Sequence, residues 1–353
     1  MTDWMRSVRA RRDVLAAGAT AGAMLAAPPQ VRAQTRTIVT TLFGGVYEQN
    51  YRRFVMDPFT QKTGARFQIR YGSPTEWLTS TLINRDDPEI DLPFLSLPVA
   101  MKALTNPGVF LDITPEMVPN LRDVDPFFYD AYDRKAVGFN YVENGLAYRS
   151  DRVTPPPAAW ADMWDPRFRG QLVLPDIAGG YFYELIVIAA KLNGGSETNL
   201  EPGYQALRRL RPNVFRWFRS PNEVPALLQR GEATVASLGG ARAWAIKDGG
   251  SPVDFVVPRE GAPVGILSYH VPAKVRNRDL ILAFIDHAMS VEVQTAFGNG
   301  MQSGMANRRV QLAPDVAPRV APLDRLLRLD WKLIEPRMGE MAERMQRDVI
   351  SGR

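Results

Sequence analysis

The sequence predicts an α/β fold of two lobes joined by extended crossings, and three observations lead there. Strand-like runs end in glycine turns and pass into helix-like runs, again and again. The chain has 353 residues, enough for two cores, and its 45% hydrophobic content excludes wholesale disorder. A stiff Thr154-Pro155-Pro156-Pro157 stretch separates the two halves of this alternation.

From Thr37 to Phe43 the residues are β-branched or apolar, as in a buried strand, and Gly44-Gly45 ends the run. Tyr47, Tyr51, Phe54, Val55 and Phe59 then recur at helical spacing until Gly64, which suits a C-cap. Ala65 to Tyr71 alternates apolar and polar residues as a second strand does. A helix near Trp77 to Ile83 and a strand from Ile90 to Leu95 follow. Beyond a Pro-rich stretch, Val137 to Tyr148 reads as extended chain folded about Glu143-Asn144-Gly145. The second half repeats the pattern. Leu172 to Leu174 is a strand, and Tyr183 to Leu192 is an apolar helix closed by Asn193-Gly194-Gly195. Ser220-Pro221-Asn222-Glu223 has the form of a capping box opening a helix that ends at Gly231. Strands are expected over Thr234 to Leu238, Val253 to Val257 and Ile266 to Val271, and Ile281, Phe284, Ile285 and Ala288 define a last helix.

Residues 1–33 read as an export signal. Arg6, Arg9, Arg11 and Arg12 form a basic head, Val14 to Ala27 is uncharged and apolar, and Ala33 ends a small-residue cleavage site. Arg11-Arg12-Asp13-Val14-Leu15 resembles a twin-arginine signal. The expected mature chain starts near Gln34 and keeps 38 basic against 36 acidic residues, a balance that speaks against a nucleic-acid partner. The run Arg208-Arg209-Leu210-Arg211 is then a solvated helix face. With no cysteine there is no disulfide, no thiol nucleophile and no lipid-acceptor residue behind the signal, so a soluble periplasmic monomer is expected. His270 and His287 are the sole histidines, which excludes a multi-histidine zinc site; neither a metal nor a cofactor is expected.

"GGVYEQNYRRFVMDPFTQKTG", "GLAYRSDRVTPPPAAWADMWDPRFRGQLVLPD", "KLNGGSETNLEP", "LLQRGEATVA" and "HVPAKVRNRDLILAFIDHAMSVEVQ" stand in that order between Thr37 and Asn307. Together they resemble the periplasmic solute-binding proteins of the spermidine/putrescine-binding type. The resemblance implies a type II-like fold, with a ligand cleft between two lobes, a hinge of extended crossings, and delivery of a small molecule to the membrane permease of an ABC importer. It divides the chain into residues 34–145 with 268–310 and residues 146–267 with 311–353. Trp160, Trp164 and Asp165 would form the packed corner entering the second lobe, and Pro272 and Lys274 would mark a crossing.

Ligand contacts are expected from the turns facing that cleft: Gly44, Gly45, Tyr47 and Glu48; Ser73 and Trp77; Ser96; Asp176, Tyr181 and Tyr183; Gly240 and Arg242; Ser268 and Tyr269. The bared amides of Gly44-Gly45 can meet a ligand oxygen at a strand-to-helix turn. The polyamine pattern carries a Trp and an Asp on the returning crossing, where this chain has Gly265 and Leu267, and its second acid in the second lobe falls on Tyr183. A small polar solute with one amine or a carboxylate, held by Glu48 or Arg242, is therefore expected in place of a polyamine. Two alternatives come from other classes: a ferric-ion carrier using Tyr181 and Tyr183, and a secreted hydrolase pairing Glu48 with Asp176.

Overall fold

The computed structural model describes residues 36–178 and 181–352. The expected export signal, its arginine pair and its cleavage site lie outside the described residues, as do Gly179 and Gly180 of the second-lobe turn.

Strand β1 (Thr37–Thr41) leads into α1 (Val46–Tyr51), a π-turn over Arg52–Met56 and α2 (Asp57–Thr63), which Gly64 ends in the left-handed conformation. Strand β2 (Arg66–Arg70) pairs parallel to β1. Helix α3 (Pro74–Ile83) starts at a full capping box, in which Ser73 accepts from the Glu76 amide and Glu76 from the Ser73 amide. Strand β3 (Phe94–Ser96) runs into α4 (Leu97–Leu104), and short α5 (Phe127–Asp130) precedes β4 (Ala136–Arg149). The second half adds β5 (Leu172–Pro175), α6 (Phe182–Leu192), α7 (Glu201–Leu210), β6 (Val214–Phe218), α8 (Val224–Arg230), β7 (Val235–Gly239), α9 (Gly240–Asp248) and β8 (Val253–Val256). Strand β9 (Val264–His270), α10 (Arg278–Met289), α11 (Val291–Met301) and β10 (Gly304–Met305) return to the first half, and α12 (Trp331–Ile334) and α13 (Met338–Arg344) close the chain.

Strands β1 and β2 form a two-stranded sheet, and the other eight strands form one sheet whose two halves are joined through a single strand. Strand β4 pairs with β9 over Ala136 to Glu143, with β10 at Asn140 and Tyr141, then with β7 and β8 over Asn144 to Arg149. The expected fold-back at Glu143-Asn144-Gly145 is therefore replaced by 14 residues of continuous strand. Gly145 serves close strand packing instead of a turn, because a β-carbon there would lie 2.5 Å from the Val256 carbonyl.

The second departure is at Ser220. Glu223 does reach back to the Ser220 amide at 3.0 Å, but the helix begins only at Val224. Pro225 explains the delay: a helix opened at Pro221 would carry Pro225 in its interior, where its missing N–H breaks the ladder. The Gly231 end is as expected, left-handed and capping α8. Arg208 and Arg209 lie on the exposed face of α7, near Glu201 and bonded to Asn193.

The first half packs around aromatic rings. Tyr51, Phe94, Phe139, Tyr269 and Phe297 lie within 6 Å of one another in successive contacts, and the Tyr51 and Tyr269 hydroxyls hydrogen-bond in a fully buried setting. In the second half α6 buries eight of its 11 residues, and α8 and α9 cover the other sheet face through Leu227, Leu228, Ala243 and Ile246. A third passage links the halves besides β4 and β9. The chain after β10 gives its Ala321 carbonyl to the Tyr141 hydroxyl at 2.7 Å and its Arg319 carbonyl to Trp244 Nε1 at 2.7 Å. Among the described residues no single helix is long and apolar enough to cross a membrane.

Candidate functional site

The crossing ribbon of β4 and β9 sets the geometry. Side chains alternate between its faces, and directly paired residues share one. Asn140 pairs with Leu267 and Val142 with Gly265, so these four share a face; Tyr141 with Ile266 and Glu143 with Val264 lie on the other. Strand β3 extends the first rung, since Ser96 pairs with Leu267.

Both halves of the molecule send a tyrosine to the first of these faces. From α1, the Tyr47 hydroxyl donates to Asn140 Oδ1 at 3.1 Å. From the N-terminal end of α6, the Tyr181 hydroxyl lies against Gly265, where a β-carbon would be 2.6 Å from it. The two contacts fall on neighbouring rungs, roughly 7 Å apart along the strands. The aromatic residue absent from position 265 is thus replaced by one reaching over from the second half.

Beside Tyr181 stands an acid that the second-half stretch offers together with Asp176 but that is not among the expected contacts. Glu184 is 3% exposed, and its Oε2 has no hydrogen-bond partner among the described residues. Burial raises its carboxyl to about 7, opposed by its own backbone amide. The Tyr181 phenol is raised by burial and then by Glu184, lowered by Arg242, and raised slightly by Glu143. An unpartnered buried carboxylate is costly, and a cation removes that cost. The signal was present in the sequence: Glu184 is the one acid inside the apolar run Phe182 to Leu192.

The other expected residues are distributed differently. Gly44 and Gly45 are exposed with nothing packed on them, and Gly45 holds φ 79° at the start of α1, a conformation that favours glycine. Glu48 is already engaged, accepting from Arg52 Nε at 2.7 Å and from the Tyr71 hydroxyl at 2.9 Å. Ser73 is occupied as the α3 cap. Replacing it with Ala is expected to lower stability by about 1 kcal/mol in urea denaturation. Trp77 is buried against Phe43, with an indole N–H that has no partner among the described residues. Ser96 precedes α4, half-buried, without a side-chain cap bond.

In the second half, Asp176 Oδ1 accepts from the Ala178 amide at 2.7 Å. Tyr183 turns to Trp331 of α12, ring centroids 6.3 Å apart, and burial pushes its phenol up to about 12. Gly240 is where a side chain would strike the Glu143 carboxylate. Arg242 is exposed and donates to Asn222 Oδ1 at 2.7 Å. Ser268 and Tyr269 are fully buried; Ser268 Oγ donates to the Leu95 carbonyl at 3.2 Å and lies 3.1 Å from His270 Nε2, whose ring burial holds near a pKa of about 3. These two residues are therefore part of the first half's interior. Among the described residues no group of three or more His, Cys, Asp or Glu side chains is arranged to hold a metal.

The two α/β halves thus share a crossing ribbon, polar groups from both halves meet one face of it, and a buried acid beside Tyr181 has one oxygen without a partner among the described residues. A family model described as bacterial extracellular solute-binding protein matches residues 55–321, and the chain belongs to that family. It is 26% identical over 318 residues to the spermidine/putrescine-binding periplasmic protein of Escherichia coli K12, covering 87% of each. A solved structure of a putative extracellular solute-binding protein from Bordetella parapertussis matches with a TM-score of 0.81 at 23% identity, over 88% of this chain and 98% of that one. An ABC transporter structure from Clostridium perfringens matches with a TM-score of 0.77 at 20% identity, over 88% and 99%. The fold is the two-lobed type II periplasmic-binding fold, and the protein is the substrate-binding component of an ABC transporter.

Proposed function

We propose that the protein is exported, captures a small solute carrying one ammonium group on the Asn140–Gly265 face of the ribbon, and hands it to its importer's membrane permease without chemical turnover. The observation that carries the ligand class is Glu184, a buried carboxylate with an unpartnered oxygen beside Tyr181. Glu48 and Arg242 are spent on partners within the fold, so the charge that meets the ligand moves from those residues to Glu184. The lobes are taken as residues 34–145 with 268–310 and residues 146–267 with 311–353; the packing of α13 on α6 supports the last assignment.

Curated relatives named for spermidine and putrescine support a cationic ligand. The charge count on this face favours fewer ammonium groups than those compounds carry. The second buried acid, Glu143, belongs to the opposite face of β4, and a buried ammonium without a counter-charge costs several kcal/mol. Calorimetry with n-butylamine, putrescine and spermidine tests this directly. The monoamine is expected to bind with saturable heat and spermidine weakly; submicromolar spermidine binding overturns the single-amine reading, and silence from all three overturns the cationic one.

A further inference from the structure

We infer that Tyr181 is the residue that limits ligand length, a wall contributed by the second lobe and set across the hinge face at Gly265. This rests on the cationic-solute reading and adds to it a reason for selectivity among amines. Four observations converge on it. Tyr181 holds a left-handed backbone, φ 59°, at the residue preceding α6. For a bulky side chain that conformation is strained, so the surroundings hold it there. Its hydroxyl fills the space that the missing β-carbon of Gly265 leaves on the crossing strand. It reaches the same ribbon face as Tyr47, one rung away. It also stands within electrostatic range of Glu184, three residues further on.

An ammonium drawn to Glu184 therefore has the Tyr181 ring as its neighbour on the hinge side, and the first lobe's Tyr47, Asn140 and Ser96 lie roughly 7 Å further along the strands. A chain longer than that interval must displace a ring already packed against backbone. One extra methylene against such a wall costs about tenfold in affinity or more.

The test is a series of n-alkylamines from ethylamine to octylamine, measured by calorimetry on the wild-type protein, Tyr181→Gly, Tyr181→Phe and Glu184→Gln. Tyr181→Gly removes the ring while suiting the left-handed backbone, so loss of folding is not its expected effect. In the wild type, affinity is expected to peak at a short chain and fall about tenfold or more beyond it. Tyr181→Gly should move that ceiling to longer amines, and Tyr181→Phe, which keeps the ring, should retain it. Amines that bind through Glu184 with one length profile in both wild type and Tyr181→Gly overturn the wall and leave the cationic reading standing. Binding that Glu184→Gln does not weaken overturns the reading on which the wall rests.

Discussion

Glu184→Gln is expected to lower the affinity for a cationic solute by roughly 30-fold or more. The substitution keeps the side chain's shape and removes its charge, so the loss reports the ion pair and not the packing of α6. Truncating one partner of a buried, hydrogen-bonded charge pair costs roughly 2–5 kcal/mol, and each 1.4 kcal/mol is about tenfold. A pH signature accompanies it. Burial raises the Glu184 carboxyl to about 7, so below that pH the ammonium must displace a proton. Wild-type affinity should therefore rise with pH up to about 7 and level off above, and the glutamine variant should show no such rise. Calorimetry at pH 5.5, 7 and 8.5 on both proteins checks both statements. Equal affinities at pH 8.5 would remove Glu184 from the site.

Glu143→Gln is expected to stabilise the unliganded protein in mild alkali. Glu143 is 1% exposed, neither oxygen has a hydrogen-bond partner among the described residues, and Gly240 leaves the space its carboxylate occupies. Burial raises it from its ordinary 4.5 to about 8, against smaller opposing effects of its own backbone and that of Ala321. Between those two values the folded protein holds a proton that the unfolded chain has lost. Stability then falls as pH rises, at most by about 1.4 kcal/mol per pH unit for one group. Glu184 adds a loss of the same sign between 4.5 and about 7. Urea denaturation at pH 5, 6.5 and 8 should give a clear downward slope for the wild type and a shallower one for Glu143→Gln. Matching slopes in the two proteins would mean that Glu143 is solvated or paired when folded.

Most of the fold was legible because local rules and tertiary packing agree. Gly64 and Gly231 end helices where they were expected to, each in the left-handed conformation that only local sequence demands. The failures lie where a distant strand or a second proline decides. Asn144-Gly145 has the composition of a turn, yet β7 and β8 flank it on both sides and make glycine a packing requirement. The site was harder to read for a related reason. Glu48 and Glu184 are both acids on first turns of helices, and what separates them is that Arg52 and Tyr71 reach one and no group among the described residues reaches Oε2 of the other. Ser268 and Tyr269 sit on the crossing as expected, but His270, Leu95 and the aromatic core claim them. Arg52 is within a helical turn of Glu48 and visible in the sequence; Leu95 is not visible from Ser268.

The sharing of β4 also sets an order of assembly. Its first-lobe edge is completed by β9 and β10, which lie more than a hundred residues later in the chain, and the aromatic core there needs Tyr269, Phe284 and Phe297. Everything that the second lobe needs from β5 to β8 is already present before β9 appears. The first-half edge of β4 is therefore the one whose partners come later along the chain. Until β9 is made, Phe94 and Phe139 have an open strand edge beside them, a non-local pairing of the kind that slows folding and leaves partly formed chains prone to association.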